Sequence, residues 1–254
     1  NVDRLAKEGM RFMQHYTGAP VCAPARCVLL TGQHLGHAEI RGNRDSGNGR
    51  VFPGQWPITD EVVTSFGRLG HFFASKDVFG VQPDIITTAK GLTSGYQPLS
   101  ATIISDEIHE VISGEGAMFF HGMTYSGHPA ASAAALANIA LMEREGIPQR
   151  VRTTGKRFEN NLRGLADLDI VGEVRGSHFM MGIEFVKDKE LKTPFEPEDQ
   201  IGLKIARAAQ NRGLIARPLG NILILSPTLI MTESQIDQVS EILRDAISDV
   251  MATL

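Results

Sequence analysis

Lys90 is the residue whose type and neighbours best suit covalent chemistry. It follows 84–89, a run rich in β-branched residues that is typical of a buried strand. Its neighbours Ala89 and Gly91 are small, which leaves room for a bulky group to approach. Schiff-base chemistry requires a neutral amine, and partial burial favours that form of a lysine. The alternative is an ordinary surface lysine, the usual state of this residue type.

Asp60 is the acid that would complement such a lysine. Pyridoxal phosphate, a cofactor that forms Schiff bases with lysine, needs a carboxylate to keep its ring nitrogen protonated, because the protonated ring withdraws electrons. Asp60 precedes Glu61 and the apolar pair Val62 and Val63, so it would lie beside an apolar strand. The alternative is a helix-capping or loop acid.

The elements that would position these residues alternate between strand and helix, which indicates a mixed α/β fold. Predicted strands cover 84–89, 101–105, 169–174 and 179–185, with two more between 214 and 225 turned at 218–221. Predicted helices cover a short stretch of the first fifteen residues, 129–145, 148–165, 200–212, and a final stretch from Thr232 towards the end. Glycines and prolines between 42 and 57 predict a long loop.

Two of the helices carry clear end signals. Pro129 stands where the first turn of one helix should be, and Gly146 follows the last periodic residue of the same helix. Thr232 and Gln235 have the spacing of a capping box at the start of the final helix.

Composition limits the possible partners. The chain has 254 residues and a net charge of −4 without a basic stripe, which argues against a nucleic-acid surface. No run reaches the roughly 18 apolar residues of a membrane helix. Cys22 and Cys27 are the only cysteines and make no disulfide framework, so a cytoplasmic location is predicted. The first residues lack the layout of a signal peptide.

Four sequence blocks, in order, resemble the carboxy-terminal part of class III, pyridoxal-phosphate-dependent aminotransferases. The blocks are DEVVTSFGRLG at 60–70, QPDI at 82–85 continuing through TAKG at 88–91 to GYQPL at 95–99, GMTYSGHP at 122–129, and VRG at 174–176 with MGIE at 181–184. The resemblance therefore covers residues 60–254.

The resemblance implies a role for each of five residues. Lys90 would bond the cofactor and shuttle a proton, Asp60 would hold the ring nitrogen, and Val62 would pack on the ring face. Thr124 would bind the cofactor phosphate of the neighbouring subunit in a homodimer. Arg217 would pair with a substrate carboxylate, a task that suits a planar guanidinium, although an exposed turn arginine is the alternative.

The implied fold is an incomplete fold-type-I transferase. Residues 60–165 would form a partial cofactor-binding large domain with right-handed parallel crossovers, and 166–254 an α/β small domain. Residues 1–59 would not complete the sheet, so one sheet edge should lack its neighbours. Lys90 and Asp60 are expected to be partly buried and to face one cavity, about a pyridine ring apart, with Thr124 exposed.

Residues 1–58 resemble a different family, the sulfatases. The segment from Cys22 to Gly32, CAPARCVLLTG, is similar to the signature in which the first cysteine is oxidised to formylglycine. Its hydrated aldehyde would be the nucleophile, and Arg26 would stabilise it. Sulfatases use calcium, but the six or more oxygens that calcium prefers cannot be assembled from this segment, so no metal site is predicted. A buried structural cysteine is the alternative, and the two resemblances together predict a chimera of two truncated families.

Three functions follow from these patterns. The leading one is transfer of an amino group between an amine or amino acid and a keto acid, with pyridoxal phosphate as cofactor. The second is sulfate-ester hydrolysis by a formylglycine at Cys22 with calcium. The third is a folded fragment without catalysis.

Overall fold

The computed structural model describes residues 58–119 and 122–254. The sulfatase-like segment with Cys22 and Arg26, the first predicted helix and the Gly/Pro-rich loop lie outside these residues. The predictions made for them therefore stay predictions.

The described chain alternates between strands and helices, so the predicted mixed α/β fold is confirmed. The strands are β1 Ile58–Asp60, β2 Ile85–Thr88, β3 Ala101–Ile104, β4 Val171–Ser177, β5 Met180–Asp188, β6 Thr193–Pro194, β7 Arg217–Leu219 and β8 Ile222–Leu225. The helices are α1 Ala74–Asp77, α2 Asp106–Ser113, α3 Pro129–Arg144, α4 Ile147–Arg163, α5 Ile201–Gln210 and α6 Glu233–Met251. Short 3-10 turns cover Lys90–Thr93, Gly164–Asp167 and Pro197–Asp199.

The first sheet has the strand order β1-β2-β3. β1 and β2 are parallel, with Asp60 opposite Thr87. β2 and β3 are antiparallel, with Thr88 opposite Ala101. The predicted adjacency of these two strands is confirmed, but the expected parallel crossover between them is wrong. The connection 89–100 contains only a 3-10 turn, whereas a parallel return needs a longer crossover, usually a helix.

The second sheet is antiparallel, with the order β4-β5-β8-β7 and β6 paired to the end of β5. The strands predicted in 169–185 and 214–225 are all present. Helices α4, α5 and α6 pack together beside this sheet. The core between them includes Phe158 and Phe179, whose rings meet edge to face at 5.5 Å.

Both sheets belong to one compact unit, Trp56–Leu254. The division into a large and a small domain near residue 165 stays a prediction.

Helix ends follow the predicted signals. His128 Nδ1 accepts a hydrogen bond from the N–H of Ala131 at the start of α3, and Gly146, just beyond its end, has φ +59°. α2 was not predicted, although Ser105 caps it and acidic residues fill its first turn.

The capping box of α6 is formed as predicted. Thr232 Oγ1 accepts from the N–H of Gln235 at 3.2 Å, and Gln235 Oε1 accepts from the N–H of Thr232 at 2.9 Å. We expect Thr232→Ala to lower the free energy of unfolding by about 1 kcal/mol, because one helix N–H loses its partner. Urea unfolding of the full chain measures this. Ser234→Ala, an exposed change in the first turn of the same helix, is the control, and an equal loss in both variants would contradict the prediction.

Candidate active site

The carboxyl ends of β1 and β2 lie at the same edge of the first sheet because the two strands are parallel. Asp60 is the last residue of β1. Lys90 lies two residues beyond the end of β2 and begins the 3-10 turn. The structure therefore brings Asp60 and Lys90 to one edge, and open α/β sheets bind their ligands outside such carboxyl ends.

The backbone at Lys90 is unusual. Its φ is +31°, in the left-handed region that residues with a side chain rarely adopt. The N–H of Leu92 donates to the carbonyl of Ala89 at 2.8 Å and closes the turn around it. Strained backbone of this kind persists only where surrounding contacts hold it, and it concentrates at functional sites.

Gly91 is required by protein packing. A Cβ at this position would lie 2.8 Å from Phe66 Cβ, and Phe66 is a buried core residue. Phe66 therefore accounts for the glycine at position 91, and the expectation that small neighbours leave room for a cofactor stays a prediction.

A cavity of about 620 Å³ opens at Lys90. Its lining consists of Ala89, Lys90, Thr93, Gly95, Gln97, Pro98, Leu99 and Ser100. Asp60 does not line it. The side chains of both Lys90 and Asp60 are exposed, so the expected partial burial is wrong. Asp60 is the last residue of β1 and Lys90 follows the end of β2, so neither side chain lies between neighbouring strands.

Asp60 and Val62 lie side by side at the start of the loop that follows β1. Asp60 Oδ1 accepts a hydrogen bond from the N–H of Val62 at 3.0 Å. Asp60 therefore also stabilises the loop with one carboxylate oxygen, which is the loop role that the sequence analysis gave as the alternative. Val62 is half-buried.

Glu61 is a buried structural neighbour of Asp60 whose contacts the sequence patterns did not predict. Its side chain is buried, with the residue 2% exposed. Oε1 accepts from Ser75 N at 2.8 Å and Ser75 Oγ at 2.5 Å. Oε2 accepts from Ala74 N at 2.7 Å and Thr64 Oγ1 at 3.3 Å. Since Ala74 and Ser75 begin α1, Glu61 caps this helix from outside it.

Two hydroxyl groups join the loop after β1 to the end of β2. Ser65 Oγ lies 2.7 Å from Thr88 Oγ1 and donates to the carbonyl of Glu61 at 2.5 Å. The N–H of Glu61 continues the strand ladder by donating to Thr87 O at 2.8 Å. These contacts fix the residues that follow Asp60 against those that precede Lys90.

Arg68 ties the same loop to the second sheet. Its guanidinium donates to the carbonyl of Phe179, between β4 and β5, at 3.2 Å, and also to the carbonyl of Pro227, beyond β8. Burial lowers the pKa of Arg68 from its ordinary value.

Thr124 and Arg217 do not line the cavity at Lys90. Thr124 is exposed in the segment before α3, as expected. Arg217 begins β7, is exposed, and makes no ion pair within 58–119 and 122–254. Arg175, Gly182, Ile224 and Arg217 stand opposite one another on successive strands, so Arg175 lies on the same face of the sheet as Arg217. Arg175 forms ion pairs with Glu173 and Glu184. Of these two arginines, Arg217 is therefore the one that has no carboxylate partner in the described chain.

Two further properties concern the described residues alone. They contain no group of three His, Cys, Asp or Glu side chains that could hold a metal ion. None of their helices is long and apolar enough to cross a membrane.

Comparison with known proteins identifies the family of this chain. The profile of the family Aminotransferase class-III matches residues 55–247. An uncharacterized aminotransferase of Sinorhizobium fredii is 45% identical over 204 residues, which cover 78% of this chain and 43% of that protein. A solved amine transaminase from an uncultivated Pseudomonas species, in its PLP-bound form, is 40% identical with a TM-score of 0.73, and the match covers 77% of this chain and 45% of that one.

The chain belongs to the class III aminotransferase family. Its mixed α/β fold matches those of solved transaminases. It spans less than half the length of the two relatives just described.

The sulfatase and chimera interpretations of the first residues find no support in these comparisons. The adenosylmethionine-8-amino-7-oxononanoate aminotransferase of Nitratidesulfovibrio vulgaris is 40% identical over 246 residues, covering 93% of this chain and 44% of that protein. Because this alignment covers 93% of the chain, it must include part of residues 1–57, the segment that resembles the sulfatases. Both interpretations stay predictions.

Proposed function

We propose that this chain carries the lysine-bearing part of a pyridoxal-phosphate-dependent transamination site. The reaction would transfer an amino group between an amine or amino acid and a keto acid. One observation carries the proposal: in a class III family member, Lys90 and Asp60 stand at the shared carboxyl edge of two parallel strands.

The residues at this edge fit the cofactor. The Lys90 amine is exposed beside a cavity of about 620 Å³, within the usual range of small-molecule sites. Asp60 supplies a carboxylate at the same edge. Bound pyridoxal phosphate would supply an aldehyde for the lysine and a ring that withdraws electrons from the substrate.

Each of four residues of the chain would have its own role in the reaction. Lys90 would attach the cofactor and then carry a proton to and from the substrate α-carbon, since its side chain is exposed and lines the cavity. Asp60 would keep the ring nitrogen protonated, and Val62 would pack on the ring face. Arg217 would pair with the substrate carboxylate, a role supported by its lack of an ion pair in the described chain.

The finer assignments complete the proposal. Thr124, exposed before α3, would bind the cofactor phosphate held by a second subunit, so the active form would be a homodimer. The chain would comprise a partial cofactor-binding domain to residue 165 and a small domain after it, and it would act in the cytoplasm.

Reductive trapping tests the proposed function. The full chain is mixed with pyridoxal phosphate, its absorbance spectrum is recorded, and borohydride is added to make any bond to lysine permanent. We expect a yellow complex, and peptide mass spectrometry should find the phosphopyridoxyl group on Lys90. A label absent from Lys90, or spread evenly over the lysines, would contradict the function.

A further inference from the structure

Asn138 is a buried amide of α3 that contacts the turn beginning at Lys90. Its Nδ2 donates to the carbonyls of Gly91 at 2.9 Å and Leu92 at 3.1 Å. Its Oδ1 accepts from Ser94 Oγ at 2.8 Å. Apart from a 3.6 Å contact with Met142 Sδ, every polar contact of this side chain goes to the turn.

The turn needs this support. It is a single 3-10 turn of four residues, with an N–H···O bond of 2.8 Å at Leu92 and a weaker one of 3.3 Å at Ser94. It must also hold Lys90 at φ +31°. A short turn cannot hold strained backbone by itself, whereas α3 is a 16-residue helix that offers a rigid base.

We propose that Asn138 is a positioning residue that sets the direction of Lys90 by holding the next two carbonyls of the chain. The inference rests on the proposed function of Lys90. Asn138 does not line the cavity and touches no reacting atom, so its effect passes through the backbone of Gly91 and Leu92.

Two variants remove the donors in different ways. Asn138→Asp keeps the shape and the acceptor for Ser94 but loses both N–H donors. Asn138→Ala removes the side chain without adding charge, and covers the case in which a buried aspartate prevents folding. Asn161→Asp is the matched control, because Asn161 donates to Asp237 between α4 and α6, away from the turn.

Amide hydrogen exchange gives a readout that needs no cofactor. In the full chain, we expect exchange in 89–96 to rise about tenfold to thirtyfold in both Asn138 variants, which corresponds to one or two lost hydrogen bonds. Exchange in α5, which carries neither Asn138 nor a partner of Asn161, serves as the internal reference, so that a general loss of stability is separated from a local loss in the turn. Asn161→Asp should leave the ratio of the two segments unchanged.

Reductive labelling with pyridoxal phosphate gives the second readout. At a temperature where each variant is folded, we expect labelling of Lys90 to fall about tenfold in the Asn138 variants and to persist in Asn161→Asp. Unchanged exchange in 89–96 would overturn the proposal, and so would faster exchange with normal labelling, since Asn138 would then be only structural. If the unmodified chain itself is not labelled at Lys90, the proposed function fails, and the role of Asn138 fails with it.

Discussion

Lys90→Ala should abolish the attachment of pyridoxal phosphate to the full chain. Lys90 is the only lysine among the residues that line the cavity at the carboxyl edge of β1 and β2. Alanine offers no amine there, so the absorbance of the complex and the label found after borohydride reduction should both fall to background. Mass spectrometry of the reduced protein measures the label directly.

Two controls define this result. Lys76→Ala removes an exposed lysine of α1, and Cys22→Ala removes the sulfatase-like cysteine. Both should keep the label at Lys90. If the Cys22 variant loses the label while the Lys90 variant keeps it, the chemistry belongs to the other end of the chain.

Local signals in the sequence predicted most of the elements. The β-branched runs around residues 85 and 103 gave two neighbouring strands, and the spacing of Thr232 and Gln235 gave the start of α6. The direction of β3 was predicted wrongly, because it depends on how the chain returns through 89–100 and not on the strand residues themselves.

Residue types predicted the reactive groups of the site but not their supports. Lys90 and Asp60 stand out by their chemistry and neighbours. Asn138 contacts the Lys90 turn from more than forty positions away, and the two backbone donors to Glu61 come from thirteen and fourteen positions away. An asparagine within an alanine-rich helix has no periodic signature, so only the folded chain shows what it contacts.

The expected burial of Lys90 and Asp60 was wrong for the same reason. Strand patterns place a residue at the end of a strand, but its exposure depends on which other elements cover that end. The described residues leave both side chains exposed, although the backbone on either side of them is firmly held.

Glu61→Gln should destabilise the chain strongly. The two carboxylate oxygens accept from two backbone N–H groups, Ser75 N on Oε1 and Ala74 N on Oε2. Glutamine has a single oxygen, so its NH₂ group would face one of these fixed donors. The hydroxyl groups of Thr64 and Ser75 can rotate, but the backbone donors cannot. A buried donor left unpaired and a lost charge-assisted bond together cost about 2–4 kcal/mol of unfolding free energy, measured by urea unfolding.

Glu159→Gln is the matched control for this change. Glu159 also accepts from a backbone N–H, that of His178 at 3.2 Å, and it pairs with Arg163 at 3.0 Å, but its side chain keeps 14% exposure. Water can reach the groups left behind, so we expect a loss of about 1 kcal/mol or less. The contacts of Glu61 with Ser65 and with Thr87 at the end of β2 are made by its backbone and persist in the variant, so we expect both variants to keep the label at Lys90 while they are folded. Equal losses of stability in the two variants would show that the carboxylate of Glu61 does not anchor α1.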